Sequence, residues 1–189
     1  NERMVQFIVV ATLPGAFVGL LAEDLIETHL RTPLVISFTL IALALVLIAA
    51  EVLGRRQKSL EHISWMDAIV IGVAQALSLV PGVSRSGVTI TAALFRGMTR
   101  EAAARFSFLL STPLIAGAVA KKTFEWANGG VAGAELGVLV AGIATSALVG
   151  YLAIEFLLRY LATNTTYVFV SYRIGLGIVV LLAFWSGFR

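Results

Sequence analysis

The chain has 189 residues, of which 59% are hydrophobic and 13% charged, with a mean hydropathy of +0.93. That charge content is about half of what a soluble domain carries, and the composition belongs in a bilayer. The net charge of +3 is spread over short loops, which argues against a nucleic-acid partner, and the absence of cysteine excludes disulfides, thiol chemistry and cysteine metal sites.

Met4 to Ala22 is apolar and matches the ~20 residues a bilayer requires, and its Gly15 and Gly19 form a GxxxG pair that permits close helix contact. Glu23, Asp24 and Glu27 predict an acidic loop extending over 23–32. Pro33 to Leu53 reads as a second span, with Glu51 near enough to its end to reach the interface. The following loop, Gly54 to Ser64, carries Arg55, Arg56 and Lys58 and is therefore expected on the cytoplasmic side, which puts the acidic loop outside. His29 and His62 fall in predicted loops, too far apart in sequence for a metal pair, and read as solvated residues.

Trp65 to Gly97 behaves differently. As one helix its 33 residues would extend roughly 50 Å, too long for a hydrocarbon core of about 30 Å. Pro81 and Gly82 break it, and the second piece is too short to cross. The pattern predicts a re-entrant hairpin, two short helices joined by a polar loop that must be surrounded by protein or a wet cavity. A full crossing over 65–83, with the loop at the far surface, is the competing parse. Arg96, Arg100 and Arg105 would return the chain to the cytoplasmic side.

Three further spans follow: residues 102–120 with Thr99 as N-cap and a kink at Pro113, Glu135 to Leu158, and Tyr167 to Trp185. Lys121 and Lys122 fall on the outer side against the charge rule. Ser111 and Thr112 are expected to bond the backbone beside the kink. Arg173 and Glu155 read as residues snorkelling to an interface, and Trp65, Trp126 and Trp185 as interfacial anchors.

Ala16–Ala22 aligns without a gap to Ala147–Ala153, and each copy is followed eight residues later by a leucine, Leu30 or Leu161. Residues 1–64 then correspond to the last two spans of a first repeat. Residues 65–189 form a complete second repeat, a hairpin over 65–97 plus three spans. With an odd number of full crossings the two copies are inverted. The expected fold is one all-α integral membrane domain, an inverted-repeat bundle with a re-entrant hairpin.

The chemistry concentrates in Pro81-Gly-Val-Ser-Arg-Ser-Gly-Val-Thr89. An arginine deep in apolar sequence marks a functional site by default, and its planar fork matches phosphate oxygens. A helix expected from Gly87 to Gly97 aims its N-terminal N–H groups at the same spot. Arg85 is assigned to charge neutralisation. Ser84, Ser86, Gly87 and Thr89 are assigned to phosphate binding, with helix capping as their structural alternative, shared by Ser86. Gln75 is a supporting candidate that orients water or a partner, or simply bonds another helix.

This run, with Phe95-Arg-Gly-Met98, Phe106-Ser-Phe-Leu-Leu110 and Ile48-Ala-Ala-Glu51, resembles the bacterial undecaprenyl-diphosphate phosphatases of the bacitracin-resistance type. The resemblance implies a membrane-bound diphosphatase that converts the lipid carrier's diphosphate to the monophosphate for peptidoglycan synthesis. It implies inverted repeats whose hairpins meet at the active site, a polyprenyl diphosphate substrate among membrane lipids, and a location in the bacterial cytoplasmic membrane. It also implies a divalent cation, magnesium or calcium. The family's second motif, a Glu-x-x-x-Glu pair and a Ser-Ser-Thr-Gly-His run, has no counterpart here, so the chain reads as an N-terminally truncated member, inactive alone and without metal ligands of its own. No base accompanies the motif, so none of its hydroxyls is assigned as nucleophile. A homo-oligomer is compatible with the pattern. The alternative reading is a transporter or flippase for a phosphorylated lipid or anion, which shares the repeats and broken helices.

Overall fold

The computed structural model describes residues 2–129 and 133–187, except for the side chains of 22–25, 27, 29, 127, 129 and 133–136. Its helices are α1 (Glu2–His29), α2 (Pro33–Leu53), α3 (Trp65–Ala76), α4 (Arg85–Phe95), α5 (Arg100–Gly129), α6 (Gly133–Thr163) and α7 (Tyr167–Trp185), with short 3-10 turns at Leu60–His62 and Leu77–Leu79. Among the described residues five stretches are long and apolar enough to cross a membrane, in α1, α2, α5, α6 and α7. The protein is an all-α, multi-pass membrane protein.

The local sequence explains the helix bounds. Pro33 occupies the first turn of α2, where a missing N–H costs nothing, and the Thr32 side chain accepts from Val35 N at 3.3 Å. Thr99 caps α5 by accepting from Ala102 N at 3.2 Å, as expected. Ser111 and Thr112 donate to the carbonyls of Ser107 and Phe108, the local role foreseen for them beside Pro113. The acidic stretch at 23–29 is a correction: it is not a loop but the last turns of α1, because nothing before Thr32 breaks the helix. The side chains of Glu23, Asp24, Glu27 and His29 lie outside the described residues. His62 is exposed in its turn, 2.7 Å from Ser59 Oγ.

The bundle centres on α2, which packs against α7 and α4, while α3 lies between α1 and α4, and α4 also meets α5. Small residues make these approaches close, as is usual where lipid offers no hydrophobic drive. A Cβ on Gly72 of α3 would fall 2.5 Å from the Ala11 carbonyl oxygen of α1. Ala44, Ala50, Ala68, Ala93, Ala103 and Ala104 are fully buried around the larger Ile71, Leu94, Met98, Phe106 and Leu110. Helix α6 packs on α5, and near its end Tyr160 meets Phe169 of α7 edge to face, ring centroids 5.8 Å apart.

Candidate functional site

Two short helices, α3 and α4, pack against each other, and the motif occupies the turn that joins them. The chain leaves α3 through the 3-10 turn Leu77–Leu79, bends at Pro81 and Gly82, and enters α4 at Arg85. Gly82 has φ of +85°, and a Cβ there would lie 2.2 Å from Thr39 Oγ1, so only glycine fits. Ser84 is the N-cap, its Oγ accepting from Gly87 N at 3.2 Å. The helix thus begins two residues earlier than expected, and the cap is Ser84 rather than Ser86, whose Oγ lies 3.3 Å from that of Ser84. The first-turn N–H groups of Arg85 and Ser86 have no carbonyl behind them and face the loop.

Three long-range contacts hold this tip. Thr39 of α2 donates to the Pro81 carbonyl at 2.8 Å. Ser107 of α5 lies 2.6 Å from Thr89 Oγ1, both buried. Arg173 of α7 donates through Nη2 to the Gly82 carbonyl at 3.2 Å. Its Nη1 lies 2.9 Å from where a Cβ on Gly87 would stand, so glycine at 87 opens the space that the guanidinium fills.

The structure therefore brings Ser84, Arg85, Ser86, Gly87 and Thr89 together and adds Arg173. Snorkelling does not describe Arg173: it is 8% exposed and bonded to the Gly82 carbonyl of the neighbouring turn. Neither Arg85 nor Arg173 has an ion pair among the described residues, and the Nε of each is buried without a hydrogen-bond partner. Two guanidinium groups without an ion pair among the described residues, beside a helix N-terminus, have the chemistry to hold an anion. Sequence alone gave the depth of Arg173 in its span but not the direction of its side chain, and no local signal supplied the latter. Thr89 is engaged with Ser107 and with the Arg85 and Ser86 carbonyls, so it braces the helix as well as bordering the site. Gln75 is 1% exposed, with both amide atoms lacking partners. The helix-to-helix hydrogen bond weighed for it is not made; it rests against Gly15 of α1.

The hairpin's other end is pinned by charge. Asp67, fully buried at the start of α3, accepts from Lys58 Nζ at 2.6 Å and from Arg96 Nε at 2.7 Å. Ser64 completes a capping box with it. Glu51, near the end of α2, is not solvated there: it is 2% exposed and takes Arg56, Arg100 and Thr166. Arg56 and Lys58 belong to one strap, residues 54–59, which joins both carboxylates and pairs its backbone with Gly97 and Thr99. Arg100 is thus a buried-pair partner rather than a free loop charge.

The divalent cation finds no donor set among the described residues. Among the described residues no three His, Asp or Glu side chains converge, and both buried carboxylates are taken by cationic partners. The tip itself is cationic, so these residues do not fit magnesium or calcium.

Residues 1–179 match the family described as bacitracin resistance protein BacA. The undecaprenyl-diphosphatase of Moorella thermoacetica is 45% identical over 185 residues, covering 98% of this chain and 69% of its own length. That of Geobacter sulfurreducens is 46% identical over 182 residues, 96% of this chain and 68% of its own. That of Chloroherpeton thalassium is 46% identical over 189 residues, with 96% and 67% covered.

Proposed function

Because the chain belongs to the bacitracin resistance protein BacA family, we propose that the tip of its α3–α4 hairpin is the diphosphate grip of an undecaprenyl-diphosphatase. The activity is hydrolysis of a phosphoanhydride bond at a membrane, releasing inorganic phosphate and leaving the carrier as its monophosphate. The observation that carries the assignment is that Arg173 is packed against the first turn of α4, which Arg85 begins, with neither arginine ion-paired among the described residues.

A diphosphate brings negative charge that grows on the leaving phosphate as the anhydride bond breaks. Arg85 takes phosphate oxygens through its fork, and Arg173 adds a second cation against the same turn. Ser84, Ser86 and the N–H groups of Arg85 and Ser86 donate hydrogen bonds. Such preorganised donors are worth most where water is excluded. Gly87 keeps the approach open by having no side chain. No residue described here is assigned as base or nucleophile: Glu51 and Asp67 lie beyond the far end of α4, ~16 Å along that helix. The hairpin is re-entrant, the strap end is cytoplasmic, and the membrane is the bacterial cytoplasmic one.

Phosphate release from undecaprenyl diphosphate in detergent, by the chain joined to the family's Glu-x-x-x-Glu and Ser-Ser-Thr-Gly-His segment and supplied with magnesium or calcium, tests the assignment. Arg85→Ala is expected to lower kcat/KM about 100-fold or more, equivalent to about 2.7 kcal/mol of transition-state stabilisation. Retained turnover would remove Arg85 from the phosphates. Lipid binding without any phosphate release by the unsubstituted protein would favour the transporter reading.

A further inference from the structure

Glu51 is buried, charged and distant from the motif, yet it holds the starts of the two helices that brace the motif. Its Oε2 accepts from Thr166 Oγ1 at 2.8 Å, and Thr166, 2% exposed, is the residue from which α7 begins. Its Oε1 accepts from Arg56 at 3.0 Å and from Nε of Arg100, the first residue of α5, at 2.7 Å. Seven residues along each helix is about two turns, which returns to the same face. On α7 that residue is Arg173, against Gly82 and Gly87. On α5 it is Ser107, against Thr89.

We propose that Glu51 is a positioning residue: one carboxylate sets the axial position of α5 and α7, and so places Ser107 and Arg173 against the phosphate loop. The need for such an index is physical. Apolar helix faces in a membrane resist sliding poorly, because lipid tails replace the lost contacts. A slip of one residue along the axis is ~1.5 Å, enough to take the Arg173 guanidinium out of the space at Gly87. Two oxygens of one rigid group, each bonded to a different helix start, oppose that slip in both helices at once. The consequence for catalysis rests on Arg173 being a phosphate ligand.

Thr166→Val tests this with little change of shape, since it removes the hydroxyl and leaves both arginines on Glu51. In the same phosphate-release assay, with the chain joined to the family's Glu-x-x-x-Glu segment, Thr166→Val is expected to raise KM about tenfold. In an Arg173→Ala background it should add nothing further. Factors that multiply, or an unchanged KM, would overturn the proposal, because a clamp serving stability alone has no reason to act through Arg173. A second readout needs no turnover. The chain has no cysteine, so spin labels placed at Leu77 and Tyr172, both exposed, report the distance between hairpin and α7. Thr166→Val should shift that distance by ~1.5 Å or more or broaden its distribution; an unchanged distribution counts against the proposal. Failure of the unsubstituted protein to release phosphate, with the label distance still shifting, would sink the functional reading and leave the positioning role standing.

Discussion

Asp67 shows how this fold tolerates a charge with no solvent. Burial by itself pushes its carboxyl up. Hydrogen bonds from Lys58, Ser64 and Arg96 outweigh that and hold it well below the usual carboxylate range. A carboxylate depressed in the folded state stabilises the fold at every pH above its unfolded value, near 4. That stabilisation is lost progressively as pH falls below the unfolded value toward the lower folded one. Melting in detergent should therefore show no loss from this group between pH 8 and pH 5, with the loss beginning below about 4. Asp67→Asn should cost about 2–3 kcal/mol at neutral pH, since it leaves Lys58 and Arg96 facing a neutral group; the two cations are part-exposed, which keeps the cost below that of a fully buried pair. A melting temperature unchanged by Asp67→Asn would show that the capping geometry, not the charge, holds the hairpin's feet.

At the scale of elements, small residues with the same spacing meet different surroundings. On α1, Ala11, Gly15 and Gly19 stand against Gly72, Gln75 and Leu79 of the hairpin. On α6, Gly142 and Gly150 have nothing within 4 Å of a built Cβ. Gly72→Ala should therefore force α1 from α3 and cost about 2 kcal/mol or more, because its methyl would collide with backbone. Gly142→Ala should be neutral or stabilising by up to about 1 kcal/mol. Thermal unfolding of the two variants side by side checks the pair, and equal losses would contradict the packing described. Sequence showed where these elements lie better than what they face. The bounds of α2 and α7 follow from Thr32-Pro33 and from the apolar runs, whereas α1 outran its apolar stretch because acidic residues do not end a helix. Arg173 and Glu51 had legible depths and illegible directions. Hydropathy reports how far a side chain is from a helix end; which neighbour it meets depends on the rotation of the whole helix, and that is fixed by residues far away in the chain.

For the whole molecule, charge and helix length combine to set the depth of the site. Arg55, Arg56, Lys58, Arg96 and Arg100 gather at the strap end, and the Asp67–Arg96 pair brings both feet of the hairpin to that same end. Trp65–Leu79 rises ~22 Å and α4 ~16 Å, short of a core of about 30 Å. On the re-entrant reading proposed above, a tip at that height stands inside the bilayer, where an open backbone survives only among protein neighbours; Thr39, Ser107 and Arg173 are such neighbours. Single cysteines in this cysteine-free chain can measure that depth in sealed vesicles. Arg55→Cys, on the strap, should react with a bulky membrane-impermeant maleimide from the cytoplasmic face alone. Val83→Cys, at the tip, should resist that reagent from either face, yet react with a small charged thiosulfonate and be protected by inorganic pyrophosphate. Reaction of the tip cysteine with the bulky reagent from the face opposite the strap would make the hairpin a full crossing, and would move the phosphate grip from mid-membrane to the far surface.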